Sequence, residues 1–175
     1  MKIFRLLAIV IALLMPASLL SHGQPATVTL PSVTAYNLLR NKVTLPKDLS
    51  TPASLLVLSF LHNQQADSDR WVQTGGSLNG LRTWTLPVFS RENAIYRWWM
   101  NSSLRSASHD SHAWAGTVPL YVNKPEFLKT LQIHQEREVV VLLVSRSGTI
   151  LWRTSGPITQ EKREALAVAV AAIKP

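Results

Sequence analysis

Seven residues, His62-Asn63-Gln64-Gln65-Ala66-Asp67-Ser68, bring an imidazole, three amides, a carboxylate and a hydroxyl into one short polar stretch. The stretch directly follows the apolar run Ser54–Leu61, where a strand should hand over to a helix. Free N–H groups at a helix N-terminus favour anions and carbonyl oxygens. These residue types suit binding better than bond-making. An amide does not ionise, and a serine hydroxyl with no activating base is a poor nucleophile. Thiol–disulfide exchange needs a thiolate, and the chain contains no cysteine. His62, Asn63, Gln65, Asp67 and Ser68 are therefore candidate partner-binding residues. The plainer role for Asp67 or Ser68 is to cap the helix.

A second group, His109-Asp110-Ser111-His112, sets two histidines three apart with an acid between them, so that one helical turn could offer both to a metal. Further ligands would have to come from His22, His62 or His134, and the spacing matches no strong zinc pattern. His109 and His112 are weak metal candidates in what reads as an exposed polar loop. A hydrolase would need a positioned serine, usually on a Gly-x-Ser-x-Gly turn. That pattern does not occur, and Gly75-Gly76-Ser77 reads as a helix end. Asp67 and Asp69 lie two apart and diverge on a helix. No glycine-rich phosphate loop is present. No cofactor is implied. Of the six tryptophans, Trp84 and Trp98 fit core positions. Trp114, in the polar loop, is the candidate for an exposed contact with a partner.

The elements that must position these residues follow from periodicity. Val33–Leu39 and Val43–Leu45 read as a hairpin. Leu55–Leu61 is a central strand buried on both faces. A helix runs from Ala66 or Asp67 through Trp71 and Val72. It ends at Gly75-Gly76, where glycine tolerates the left-handed C-terminal geometry. Arg82–Phe89 alternates as a second strand. Ser90 would cap a helix to about Arg105 that carries Ile95, Trp98 and Trp99 on one face, with Glu92 in its first turn. Residues 106–116 read as a loop, and Val118–Val122 as a short extended segment. Asn123 would cap a helix burying Phe127, Leu128 and Leu131. Glu138–Ser145 is a second core strand, with a tight turn at Arg146-Ser147-Gly148 and a returning strand Thr149–Thr154. Thr159 caps a last helix, with Leu166, Ala169, Val170 and Ile173 on its apolar stripe.

Met1–Arg5 is a short positive stretch, and Leu6–Met15 is apolar, about the length of a signal-peptide core and short for a membrane span. Residues 1–23 read as a signal peptide, or else as an uncleaved anchor. Residues 24–32 read as an extended leader, and 33–175 as a single domain. The absence of cysteine excludes a lipoprotein and any disulfide, so apolar packing must hold the fold. The formal net charge is +8. Loss of Lys2 and Arg5 leaves sixteen basic against ten acidic residues, or +6. The basic residues are scattered, unlike a nucleic-acid footprint, so nucleic acid is not expected as a partner. A solvated basic surface is the plain reading, and weak attraction to anionic lipid or envelope polymer the other.

The phrase LPKDLSTPASLLVLSF and the closing VVVLLVSRSGTILWRTSGPITQEKREAL resemble the thioredoxin-like superfamily, in the branch of exported bacterial thiol oxidoreductases and peroxiredoxins. The likeness spans roughly residues 33–173. It implies an α/β fold, a three-layer sandwich with a central mixed sheet and an N-terminal hairpin. The tail also resembles the assembly-factor family of mitochondrial ATP synthase. In the superfamily a Cys-x-x-Cys or a peroxidatic cysteine occupies the turn after the first core strand, where this chain has Gln65-Ala66-Asp67-Ser68. The proline usual before the last hairpin is also missing, since Gln135–Glu138 holds none. The resemblance therefore implies a non-redox scaffold, periplasmic or secreted, that binds a protein partner in the cell envelope as a chaperone or assembly factor. A membrane would be contacted only through an uncleaved anchor. The other readings are an exported enzyme with a loop metal site at His109/His112, or a secreted structural module.

Overall fold

The computed structural model describes residues 28–78, 81–107 and 110–173. The segment read as a signal peptide, the first part of the leader and His109 lie outside them. Two uninterrupted apolar runs form the middle of the fold. β3 (Ala53–Ser59) and β6 (Val140–Ser145) are buried along almost their whole length. They pair antiparallel, Val57 opposite Val141. A strand covered on both faces must read as a continuous apolar run rather than an alternating one. Two further strands complete the parallel half, β4 (Arg82–Ser90) beside β3 and the short β5 (Leu120–Val122) beside β4. β7 (Ile150–Ser155) returns antiparallel to β6, giving the order β5-β4-β3-β6-β7. β1 (Val33–Tyr36) and β2 (Lys42–Leu45) form a separate hairpin.

The pleat divides the core. Leu56, Leu58, Trp84, Leu86, Val88 and Leu142 point to one face, under the hairpin and α4 (Lys124–Thr130). Leu55, Val57, Val141 and Leu143 point to the other, under α1 (Gln65–Gly76) and α5 (Gln160–Ala171). This is the expected three-layer arrangement with a mixed central sheet. Residues 28–30 belong to the packed unit, because Leu30 is buried and its N–H donates to the Gly148 carbonyl at 2.8 Å. Gly148 turns β6 into β7 at φ +91°, a left-handed conformation that suits glycine. Thr159 caps α5 as expected, its hydroxyl accepting from the Lys162 N–H at 3.2 Å.

Several local expectations are corrected. Gly75 does not adopt a left-handed conformation, and among the described residues only Gly148 and Gly156 are glycines at positive φ. Its requirement is space: a methyl there would meet Leu55 Cδ2 at 2.7 Å and the Thr83 hydroxyl. Ser90 is the end of β4. The helix it was expected to cap, α2 (Ala94–Ala107), starts later and is capped by Asn93, whose Oδ1 accepts from the Tyr96 N–H at 2.8 Å. Glu92 therefore lies before the first turn. The stripe Ile95, Trp98 and Trp99 faces outward, and Trp98 is 66% exposed rather than a core residue. Part of the expected loop 106–116 is helical: α3 (Ser111–Gly116) is capped by Asp110, which accepts from the His112 N–H at 2.8 Å.

Candidate functional site

The turn after β3 is organised by Gln64, a residue absent from the sequence-based candidates. A single 3-10 turn, His62–Gln64, links β3 to α1. It points the Gln64 side chain inward, where it is only 3% exposed. Its Oε1 accepts from the N–H of Phe60 at 2.8 Å and of Leu61 at 3.3 Å. Its Nε2 donates to the Glu136 carbonyl at 2.6 Å. A buried side-chain amide whose oxygen and nitrogen both find partners rigidifies its surroundings. The Glu136 carboxylate pairs with Lys124, whose ammonium lies 5.7 Å from the Phe60 ring centroid. The turn is thus stapled to the segment that precedes β6.

The candidate residues spread around this staple. His62, Asn63 and Gln65 are exposed. Gln65 donates to Asp69 Oδ1 at 2.8 Å, along the outer face of α1. Asp67 is half-buried, 3.6 Å from the Arg70 guanidinium. Ser68 lies inside the helix, 1% exposed, and its hydroxyl has no hydrogen-bond partner among the described residues. It caps nothing, and no base stands within reach to activate it. Trp114 lies in α3, half-buried. His112 is exposed, and among the described residues no three of His, Cys, Asp and Glu gather as a metal site would need.

On its other side the turn is open. α1 covers β3, but Pro87 and Phe89 of β4 on the same sheet face are only roofed at a distance by α2. A cleft of about 270 Å³ lies between, walled by Phe60, Leu61, Pro87, Phe89, Met100 and Leu104, with His62 and Gln65 at its rim. A second hollow of about 480 Å³ adjoins it, sharing Gln65, Pro87 and Leu104. That hollow is more polar and reaches Asp69, Thr83, Thr85, His112 and Trp114. α2 is held over the cleft by Tyr121 of β5, whose hydroxyl hydrogen-bonds Asn101 Oδ1 at 3.0 Å while its ring stacks on Phe89 at 5.2 Å. Burial, with Tyr96 nearby, pushes the Tyr121 hydroxyl up to about 12 against the opposing effect of Arg97.

Fold and site together define a thioredoxin-like fold whose turn after β3 carries amides and a buried hydroxyl. Its structural neighbours bear out the fold. The thioredoxin domain of a thiol-disulfide oxidoreductase from Bacteroides vulgatus aligns over 86% of this chain and 100% of its own, with 16% identity and a TM-score of 0.55. A Sco-family protein, from a family of cytochrome c oxidase assembly proteins, aligns over 85% and 97%, with 14% identity and a TM-score of 0.57. The exposed lipoprotein thioredoxin of Streptococcus pneumoniae aligns over 81% and 99%, with 11% identity and a TM-score of 0.54. No family model and no curated protein matches the sequence.

Gln64 could be found from sequence only as one of two adjacent glutamines, with nothing in their spacing to say which turns inward. The outward stripe on α2 was visible as a stripe, but its direction was not.

Proposed function

We propose that this chain is a non-redox protein of the bacterial cell envelope that holds a protein partner, as a chaperone or assembly factor does. The partner's docking site is the cleft between the degenerate turn, β4 and α2. The observation that carries this reading is the asymmetry of the turn. Gln64 pins one side with three hydrogen bonds, while the other side keeps an apolar cleft beside Gln65. A scaffold that had merely lost its chemistry would be free to collapse that space. One structural neighbour is an exposed lipoprotein, which supports an envelope location, as does the reading of residues 1–23 as an export segment. One neighbour belongs to a family of oxidase assembly proteins, which supports the assembly-factor type.

The cleft suits a short extended or helical apolar segment rather than a charged metabolite, since its walls are aromatic and aliphatic. The test places a photo-crosslinking amino acid at Leu61, on the cleft wall, or at Val168, exposed on α5 at 71%, in cells expressing the full chain. A discrete protein adduct from Leu61 and none from Val168 is expected. The same adducts from both positions, or none from Leu61, would overturn the reading.

A further inference from the structure

The outer face of α2 is distinct from the inner face that roofs the cleft. Met100 and Leu104 face inward and are half-buried. Ile95, Trp98 and Trp99 face outward at one-turn spacing, with 80%, 66% and 57% of their surface exposed. We propose that this face docks on an anionic lipid surface.

Size and charge argue for lipid over a second protein copy. The three side chains offer roughly 400 Å² of apolar surface, about half of the ~800 Å² per partner that a stable protein interface needs. A bilayer interface sets no such minimum, because burial there adds to Coulomb attraction. The chain and this segment of it are basic. Residues 91–107 contain Arg91, Arg97 and Arg105 against the single acid Glu92, in a chain of net charge +8. Arg91 is exposed just ahead of α2, whereas Arg97, also exposed, is turned to the opposite side of the helix, 5.9 Å from the Tyr121 ring centroid. Arg105 is turned inward and donates to the Leu38 carbonyl at 2.8 Å. A chain of net charge +8 is repelled by a second copy of itself and drawn to an anionic headgroup layer. Tryptophan suits this depth, its ring apolar and its N–H wet. An export segment, cleaved or retained, would also bring the chain to a membrane.

The test uses the tryptophans as reporters in the full chain. The first tryptophan is Trp71, so an N-terminal segment held in lipid is silent in this assay. Fluorescence is read on phosphatidylglycerol vesicles whose acyl chains carry bromine, a short-range quencher. Strong quenching is expected, reduced on phosphatidylcholine vesicles of the same bromine content and reduced by raised salt. Trp98→Phe/Trp99→Phe should remove the quenched component. Ile95→Asp keeps both reporters and should abolish quenching while leaving the thermal melt unchanged, since Ile95 packs on nothing in the core. No quenching on phosphatidylglycerol would overturn the proposal, as would undiminished quenching in Ile95→Asp. So would tryptophans shielded by a self-association that Ile95→Asp abolishes.

Discussion

Replacing Gln64 by alanine strips three hydrogen bonds from a side chain that is almost fully enclosed. The consequences for its partners differ. The Phe60 N–H sits at a buried residue, and a buried donor left without a partner costs about 1–3 kcal/mol. The Leu61 N–H belongs to an exposed residue, and the Glu136 carbonyl to a half-buried one. Water can reach both, so each loses about 0.5–1 kcal/mol net. The sum is about 2–5 kcal/mol, which for a domain of this size lowers Tm by roughly 6–15 °C. The adjacent residue supplies an internal control. Gln65 is exposed and bonds only to Asp69 one turn on, an interaction of about 0.2–0.5 kcal/mol. Urea denaturation of Gln64→Ala and Gln65→Ala at equal m-values measures both. A loss for Gln64→Ala that does not exceed the loss for Gln65→Ala would refute the idea that Gln64 staples the turn.

Four further outcomes are expected. Val141→Asp places an unpaired charge in the centre of β6, where Val141 is fully buried, and should unfold the domain; a soluble protein with a cooperative melt would contradict this. Gly75→Ala forces α1 away from Leu55 and Thr83 and should cost about 1–3 kcal/mol in chemical denaturation. Ser68→Ala removes a buried hydroxyl that has no partner among the described residues, so calorimetry should find Tm unchanged or raised; a fall would show that the hydroxyl is satisfied. Tyr121 is raised from 10.0 to about 12, so the folded state holds its proton more tightly than the unfolded state. The resulting stability is complete below pH 10.0 and is lost as pH rises toward about 12. Alkaline unfolding curves of Tyr121→Phe should lack this decline.

Legibility followed burial. Leu55–Leu58 and Val139–Val144 are apolar without interruption, and only a strand enclosed on both faces tolerates that pattern, so the centre of the sheet could be placed from sequence. The turn at Gly148 and the cap at Thr159 rest on local backbone chemistry, which a sequence displays directly. The misreadings concern tertiary direction. A helical stripe of Ile95, Trp98 and Trp99 is the same string whether it faces a core or a solvent, and here the sheet takes the opposite face through Met100 and Leu104. A glycine at a helix end often supplies backbone freedom, but Gly75 answers to a contact with Thr83, on a strand eight residues later. At the candidate site the missing thiol was plain. The choice between Gln64 and Gln65 was not, because it depends on one 3-10 turn and on a carbonyl at Glu136.

The place of β3 sets the timetable of folding. It is the first core strand along the chain, yet it sits in the middle of the sheet, with Ala53 opposite Ser145. A chain emerging from its N-terminus therefore shows Leu55–Leu58 with an unpaired edge until nearly the last strand has arrived. Closing so distant a pair is slow, and the waiting segment is apolar and β-prone, the kind that aggregates. Such a nascent chain needs shielding until Val144 is available, and the export we propose would set the opposite need, to stay unfolded until the chain has crossed. One topological fact serves the second need and aggravates the first.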